Sequence, residues 1–387
     1  MKYTTVRRLP FILLLAVAAV IAIATVVEKN FGTEYALRQV YGSWWFIALW
    51  ALTAVAACVV LWKRKMWRNW PVMLLHATFL VILAGALTTH LTSHRGMTHL
   101  REGETTRSYW VKDEHGAYTV TEKMPFYLAL REFSITYDSD GITPADYVSH
   151  VVIATTDGET PATISMNNIG RVKGYRIYQT SFDDDAHGST FTISYDPWGT
   201  AITYAGYLLL AIGMICTSVQ KSRRKETTVP SAPKTRTSLL PTILLGICGI
   251  AMASYMIIAI CMRPLVPVLR SPFLVVHVGT IMLSYILLVV SILRREVLRP
   301  AVFLLATGIF LGAVWANVSW GSYWSWDPKE AWALVTLIIY SLPLHHQSIP
   351  WFRSDRHDRL YSLIALASLL MTYFGVNFLL GGMHSYT

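Results

Sequence analysis

A chain of 387 residues that is 53% hydrophobic and only 14% charged, with positive mean hydropathy, describes a polytopic membrane protein and excludes an ordinary soluble domain. The formal net charge of +10 does not mark a nucleic-acid binder, because residues 91–199 carry nine Lys+Arg against fifteen Asp+Glu, a balance of −6, which leaves +16 beside the hydrophobic segments. Cys58, Cys216, Cys248 and Cys261 lie in or at the ends of apolar segments without CxxC spacing, which excludes a dithiol redox centre and a disulfide-built 91–199 region.

The first hydrophobic stretch, 9–27, follows Lys2, Arg7 and Arg8 as a signal peptide would. Its core is long and Ala-Thr-Val-Val-Glu is a poor cleavage site, so it reads as an uncleaved anchor. Spanning helices are predicted next at 44–62 and 70–90. Residues 91–199 then read as β-rich. FYLALREFSITY, VSHVVIATT, ATISM and GYRIYQTSF mix alternation with aromatic and β-branched residues, and SDG and TDGET punctuate them as turns. A fourth helix at 200–219 leads into KSRRKETTVPSAPKTRT, polar and proline-containing, which reads as a linker. Five more spans follow at 239–261, 272–292, 300–318, 331–347 and 360–380. Each of the nine has roughly the 20 apolar residues a bilayer requires.

Basic clusters mark alternate loops: the N-terminus, KRKMWR, KSRRK with Lys234 and Arg236, RREVLR and RSDRHDR. The positive-inside rule then puts the N-terminus in the cytoplasm and the C-terminus outside, with residues 91–199 external. The fold class is a polytopic α-helical membrane protein of about nine transmembrane helices with one β-rich external domain. Its expected organisation is a three-helix part (1–90), the external domain (91–199), a fourth helix with a cytoplasmic linker (200–237) and a second membrane domain (238–387).

Four histidines stand out on this topology, since coordinating side chains inside a bilayer are costly. His76 and His345 fall near the inner face; His277 and His384 fall near the outer one. Eighteen residues separate Asp327 from His345, roughly 27 Å of helix, so the two pairs cannot share one ligand. Paired neutral imidazoles suit a haem iron, and zinc is disfavoured because no carboxylate or thiolate accompanies either pair. The alternative role for each histidine is helix–helix hydrogen bonding. His346 competes with His345, because the register at a helix end is uncertain.

Five of the fourteen tryptophans lie in the external loop WANVSWGSYWSWDPKEAW: Trp315, Trp320, Trp324, Trp326 and Trp332. An aromatic belt supplies one or two residues per helix end, so this run reads instead as a bed for a large planar ligand. In DPKE, Asp327 fits an N-cap, Pro328 the first helical position and Glu330 the third position of a capping box. Both acids are therefore assigned to capping, and no residue is assigned as nucleophile or acid–base catalyst.

At these residues the chain resembles the cytochrome c biogenesis family CcsA/ResC, whose signature WWD segment is matched by WGSYWSWDPKEAW. PFLVVHV and GGMHSY resemble the family's two external histidine regions, and YSLPLH its inner one. The first half resembles the partner CcsB/ResB, through MPFYLALREFSITY, NNIGRVKGYRIYQTSF and His76 in PVMLLHATF. The whole is similar to a CcsB–CcsA fusion, the haem-handling synthase of System II cytochrome c maturation.

The resemblance implies a protein of the bacterial cytoplasmic membrane whose substrate and bound ligand is haem b. Haem would be held first between His76 and His345. It would then sit on the WWD surface with His277 and His384 as axial ligands, beside Trp315, Trp320, Trp324, Trp326 and Trp332. There the cysteines of an apocytochrome CxxCH motif would add to its vinyl groups. The absence of CxxC assigns apocytochrome reduction to another, thiol-reducing protein. Two other readings are a haem exporter or chaperone that supplies a separate ligase, and a dihaem electron carrier.

Overall fold

The computed structural model describes residues 2–113, 117–226 and 271–380. Helix α1 (Lys2–Phe31) is followed by the short α2 (Thr33–Ala36) and a π turn (Leu37–Tyr41), then by α3 (Trp44–Lys63) and α4 (Trp70–Thr92). Eight strands come next: β1 (His94–Arg101), β2 (Thr105–Lys112), β3 (Tyr118–Tyr137), β4 (Pro144–Thr155), β5 (Gly158–Ser165), β6 (Gly170–Val172), β7 (Tyr175–Phe182) and β8 (Gly188–Tyr195). The remaining helices are α5 (Gly199–Glu226), α6 (Pro272–Leu293), α7 (Leu298–Trp320), α8 (Pro328–Ser341) and α9 (Asp355–Leu370), the last continuing as a π-helix over Met371–Leu380.

Seven of these helices are long and apolar enough to cross a membrane: Arg7–Phe31, Trp44–Lys63, Trp70–Thr92, Gly199–Gln220, Pro272–Leu293, Arg295–Trp320 and Arg356–Leu380. Each matches a span expected from the sequence, and 239–261 lies outside the described residues. The 331–347 segment differs from expectation. Its α-helix stops at Ser341 and a 3-10 turn, Leu342–His345, completes it. Pro343 explains the break, because it has no N–H for Ile339 and its ring crowds that carbonyl. The Ile339 carbonyl instead accepts the Tyr361 hydroxyl at 2.9 Å. A second difference is that α5 runs to Glu226, so KSRRK is helical.

The strands form one antiparallel sheet in the order β5-β4-β3-β2-β1-β8-β7-β6. It curls into a barrel-like body, bringing its two edge strands together: a side chain added at Gly170 would meet Ile164. Alternation builds the core. Met124, Phe126, Leu128 and Leu130 of β3 point inward with Leu100, Ile153, Ile177, Phe191 and Ile193, all buried. The membrane part attaches at the centre of the sheet, since β1 continues from α4 and β8 leads into α5.

Helices α4 and α5 pack antiparallel at very short range. Gly199, Gly206 and Gly213 recur every seven residues on α5, and a side chain at each would meet Thr89, Ile82 and Leu75, which recur every seven on α4. Small residues at this spacing let two apolar helices approach where no hydrophobic effect drives them together. The pairing also fixes the rotation of α4, and with it the direction of His76, next to Leu75. A second seam joins the ends of the chain: Val17, Ile21 and Ala24 of α1 pack on Ala331, Val335 and Ile338 of α8, the same 4–3 spacing on both sides.

Gly206→Val places branched carbon where Ile82 already sits, and overpacking of this kind costs about 1–3 kcal/mol. The thermal midpoint of the detergent-solubilised protein is expected to fall by several degrees. Gly279→Val serves as control, since nothing lies within 4 Å of a side chain there. Equal midpoints for the two variants would contradict the close α4–α5 packing.

Candidate functional site

His76, on the second turn of α4, and His345, at the end of the 3-10 turn after α8, come from distant parts of the sequence and meet. Their ring centroids are 5.9 Å apart and the planes are inclined at 82°. The Nδ1 of His76 bonds the Val72 carbonyl at 2.7 Å, and that of His345 bonds the Ser341 carbonyl at 3.0 Å. A carbonyl only accepts, so each Nδ1 carries the hydrogen and each neutral ring keeps its lone pair on Nε2. This is the arrangement in which a ring is oriented for metal ligation by the hydrogen bond of its other nitrogen. Phe11 of α1 packs on His345 at 5.1 Å between centroids. His346, one residue on, is exposed. The 3-10 turn is what separates the two, and it turns His345 toward His76.

His277 lies on the second turn of α6, where its Nδ1 donates to the Gly308 carbonyl of α7 at 2.7 Å. This is a helix–helix hydrogen bond, and it also makes Nε2 the basic nitrogen of the ring. The imidazole lies flat against Gly312, where a side-chain carbon would come within 2.5 Å of Cε1. His277 is thus one turn along α7 from Trp315 and two turns from Trp320, roughly 12 Å along the axis. His384 lies outside the described residues.

The tryptophans make edge-to-face pairs and not one coplanar surface. Trp315 meets Trp320 at 4.6 Å and 75°, and Trp324 meets Trp326 at 5.7 Å and 87°. Trp326 is stacked on Tyr41 at 4.5 Å and 11°, with Phe46 against its edge. Its backbone is left-handed, φ +61°, a costly state for a bulky residue that tight packing must hold. Trp332 turns toward α1 and donates to the Thr25 hydroxyl at 3.0 Å. The indole nitrogens of Trp315 and Trp324 are buried with no hydrogen-bond partner among the described residues.

Asp327 takes the expected N-cap position, and Glu330 departs from the expected capping box. Asp327 accepts the Lys329 N–H at 2.9 Å, as an N-cap does. Glu330 reaches past the cap residue to Ser325, accepting its N–H at 2.8 Å and its hydroxyl at 3.2 Å. The acids therefore tie the loop to the start of α8 over two more residues than a capping box would.

Residues of the sheet complete the site. Arg176 and Tyr178 are two apart on β7, so they share the face opposite the core residue Ile177. Arg176 donates to Asn317 Oδ1 at 2.7 Å, and the Tyr178 hydroxyl donates to the Asn317 carbonyl at 3.0 Å. Asn317 in turn donates to Tyr204 of α5 at 2.6 Å. Arg95 of β1 donates to the Trp320 carbonyl at 3.0 Å. Gly321, with φ +83°, ends α7 and leaves room for the Tyr178 ring, which would collide with any side chain there. None of these partners was singled out from the sequence. Asn317, a lone amide inside an apolar helix end, was the one visible signal.

Comparison with known proteins follows the same division of the chain. The ResB-like family matches residues 56–189, and the family described as cytochrome C assembly protein matches residues 293–384. The chain is a ResB/CcsA-type fusion of System II cytochrome c biogenesis. Protein NrfI of Wolinella succinogenes is 40% identical over 154 residues, 32% of this chain and 17% of NrfI. Cytochrome c biogenesis protein CcsA of Synechococcus sp. strain CC9902 is 36% identical over 178 residues, 32% of this chain and 58% of that protein. The CcsA of Gloeobacter violaceus is 48% identical over 83 residues, 21% of this chain and 24% of its own. The chain thus spans less than two thirds of each of these relatives. In the fusion, β1 to β7 lie within the ResB-like match and the tryptophan run within the assembly-protein match, and the Asn317 bonds join them.

Gly312→Val leaves no room for the His277 ring. Modification of His277 by diethyl pyrocarbonate, read by peptide mass spectrometry, is expected to rise several-fold as the ring loses the Gly308 carbonyl. An unchanged rate would show that Gly312 does not hold the ring.

Proposed function

We propose that this membrane protein of cytochrome c biogenesis carries haem from the His76–His345 pair to the tryptophan run and attaches it there to the CxxCH cysteines of an apocytochrome. The observation that carries the reading is the geometry of the low pair. Imidazole–metal bonds are about 2 Å long, so two rings on opposite sides of one metal have centroids roughly 6 Å apart. The pair here stands at 5.9 Å with both Nδ1 atoms already committed to carbonyls. As haem ligands, His76 and His345 would hold iron through Nε2, with Phe11 against the second ring.

For the second position we assign His277 and His384 as axial ligands and Trp315, Trp320, Trp324, Trp326 and Trp332 as its walls. The support is that His277 lies one turn from Trp315, and that two buried indole N–H groups have no acceptor among the described residues, one that a bound ligand would supply. Helix α8 and its 3-10 turn span roughly 29 Å from the tryptophan run to His345. Basic loop clusters support an N-terminus in the cytoplasm, with the sheet and the tryptophan run outside the inner membrane.

Of the alternatives, the docked sheet favours attachment over export alone. Arg95, Arg176 and Tyr178 hold it against the end of α7, and it offers an apocytochrome a fixed surface beside the ligand. The chain's part is positioning, while haem itself supplies the reactive vinyl groups. A thiol-reducing protein would keep the apocytochrome cysteines ready.

Co-expression with a secreted CxxCH apocytochrome, in a host lacking other maturation systems, is expected to yield covalent haem by peroxidase staining. Bound haem without covalent product would sink attachment by this chain alone. His76→Ala and His345→Ala are expected to lower haem at both positions, with partial rescue by external imidazole, whereas His346→Ala retains it. His277→Ala or His384→Ala is expected to alter the outer haem and spare the inner one. Loss of all haem from His277→Ala contradicts the two-position reading.

A further inference from the structure

Three guanidinium groups gather on the side of the His76–His345 pair away from the tryptophan run. Arg7 stands one turn before Phe11 on α1, so it shares the face whose Phe11 ring touches His345. Arg64, just past the end of α3, donates to the Ser348 hydroxyl at 3.0 Å, and the Ser348 N–H donates to the His345 carbonyl at 2.7 Å. Arg353 ends the 3-10 turn Pro350–Arg353 a few residues later. Arg7 lies close enough to Arg64 and Arg353 to be repelled by both. Among the described residues none of the three forms an ion pair. The Nε of Arg7 is buried there without a hydrogen-bond partner.

Like charges held together repel, and a buried donor without an acceptor costs stability. Both costs are relieved by an anion, and planar guanidinium forks match carboxylate oxygens in pairs. A metalloporphyrin presents a metal at its centre and two carboxylates on one edge. Those are the two chemistries set side by side here: imidazole lone pairs at the pair itself and guanidinium donors around Ser348 and Phe11.

We propose that Arg7, Arg64 and Arg353 form an anion-binding mouth that takes the two carboxylates of an incoming metalloporphyrin and thereby orients its iron toward His76 and His345. This rests on the reading of that pair as a haem site. The mouth makes the protein selective for porphyrins with free carboxylates, and it admits them edge-first from the face where the arginines lie.

The test is titration of the full chain, in nanodiscs of phosphatidylcholine alone or mixed with phosphatidylglycerol, with haemin and with haemin dimethyl ester. The wild type is expected to bind haemin at least about tenfold more tightly than the ester in both lipids. Arg64→Gln with Arg353→Gln is expected to remove most of that preference, leaving ester binding unchanged, and the corresponding lysine pair to restore part of it. Equal binding of haemin and ester by the wild type overturns the proposal, as does equal weakening of both by the glutamine pair. Weakening confined to the discs with phosphatidylglycerol assigns the arginines to lipid phosphate and overturns it too. His76→Ala is read separately. If that variant keeps the wild-type axial-ligand absorption while the arginine effect persists, the haem-site reading fails and the carboxylate mouth stands.

Discussion

The last carbonyls of a membrane helix need donors, and at the end of α7 those donors come from the sheet. Tyr178 and Arg95 supply them, to the carbonyls of Asn317 and Trp320. Helix termini at a membrane surface usually turn to water; here the sheet replaces water. Everything around the tryptophan run depends on this substitution. It holds the sheet in one orientation, leaves Gly321 as the residue that can sit beneath the Tyr178 ring, and sets the point from which the loop crosses to Asp327. The Arg176–Asn317–Tyr204 chain then ties the same point to α5, and through its glycine seam to α4 and His76.

Helix α8 links the two ends of this arrangement. Its start is fastened to the loop by Asp327 and Glu330, while its end is broken by Pro343 into a tighter turn that delivers His345. Between them, Trp332 bonds α1 through Thr25, and Thr336 and Thr372 share a hydroxyl contact at 2.7 Å with the last helix. The two ligand positions proposed at its ends would therefore be built on a helix tied down along its length and not on a free loop, as precise ligation requires.

Most of the helical framework was legible in the sequence, because twenty apolar residues between basic clusters have few alternatives in a bilayer. The sheet was legible for a similar reason: MPFYLAL alternates with the period of a strand, and Met124, Phe126, Leu128 and Leu130 do face inward. His76 and His345 stood out as coordinating groups inside apolar helices, and counting from the helix ends placed them at one depth. Which of His345 and His346 faces His76 was not legible, since it depends on how Pro343 tightens one turn. Tyr41, Phe46, Tyr178 and Thr25 were hidden as well. They are ordinary residues until the fold sets them against a tryptophan or a helix end. Nor was the edge-to-face pairing of the indoles, because spacing along the chain says nothing about ring orientation across a left-handed turn.

Trp326 carries a consequence for how the two parts of the chain depend on each other. Its left-handed backbone is a state that costs of order 1–3 kcal/mol, offset by a Tyr41 ring that belongs to the N-terminal part. Aromatic stacking contributes about 0.5–1.5 kcal/mol beyond burial, so the two terms are of similar size. The shape of the tryptophan run is thus conditional on a neighbour from elsewhere in the polypeptide. Joining both parts in one chain keeps that neighbour at high effective concentration, so physical linkage acts as a form of quality control: the run takes up its working shape where the N-terminal helices are already in place.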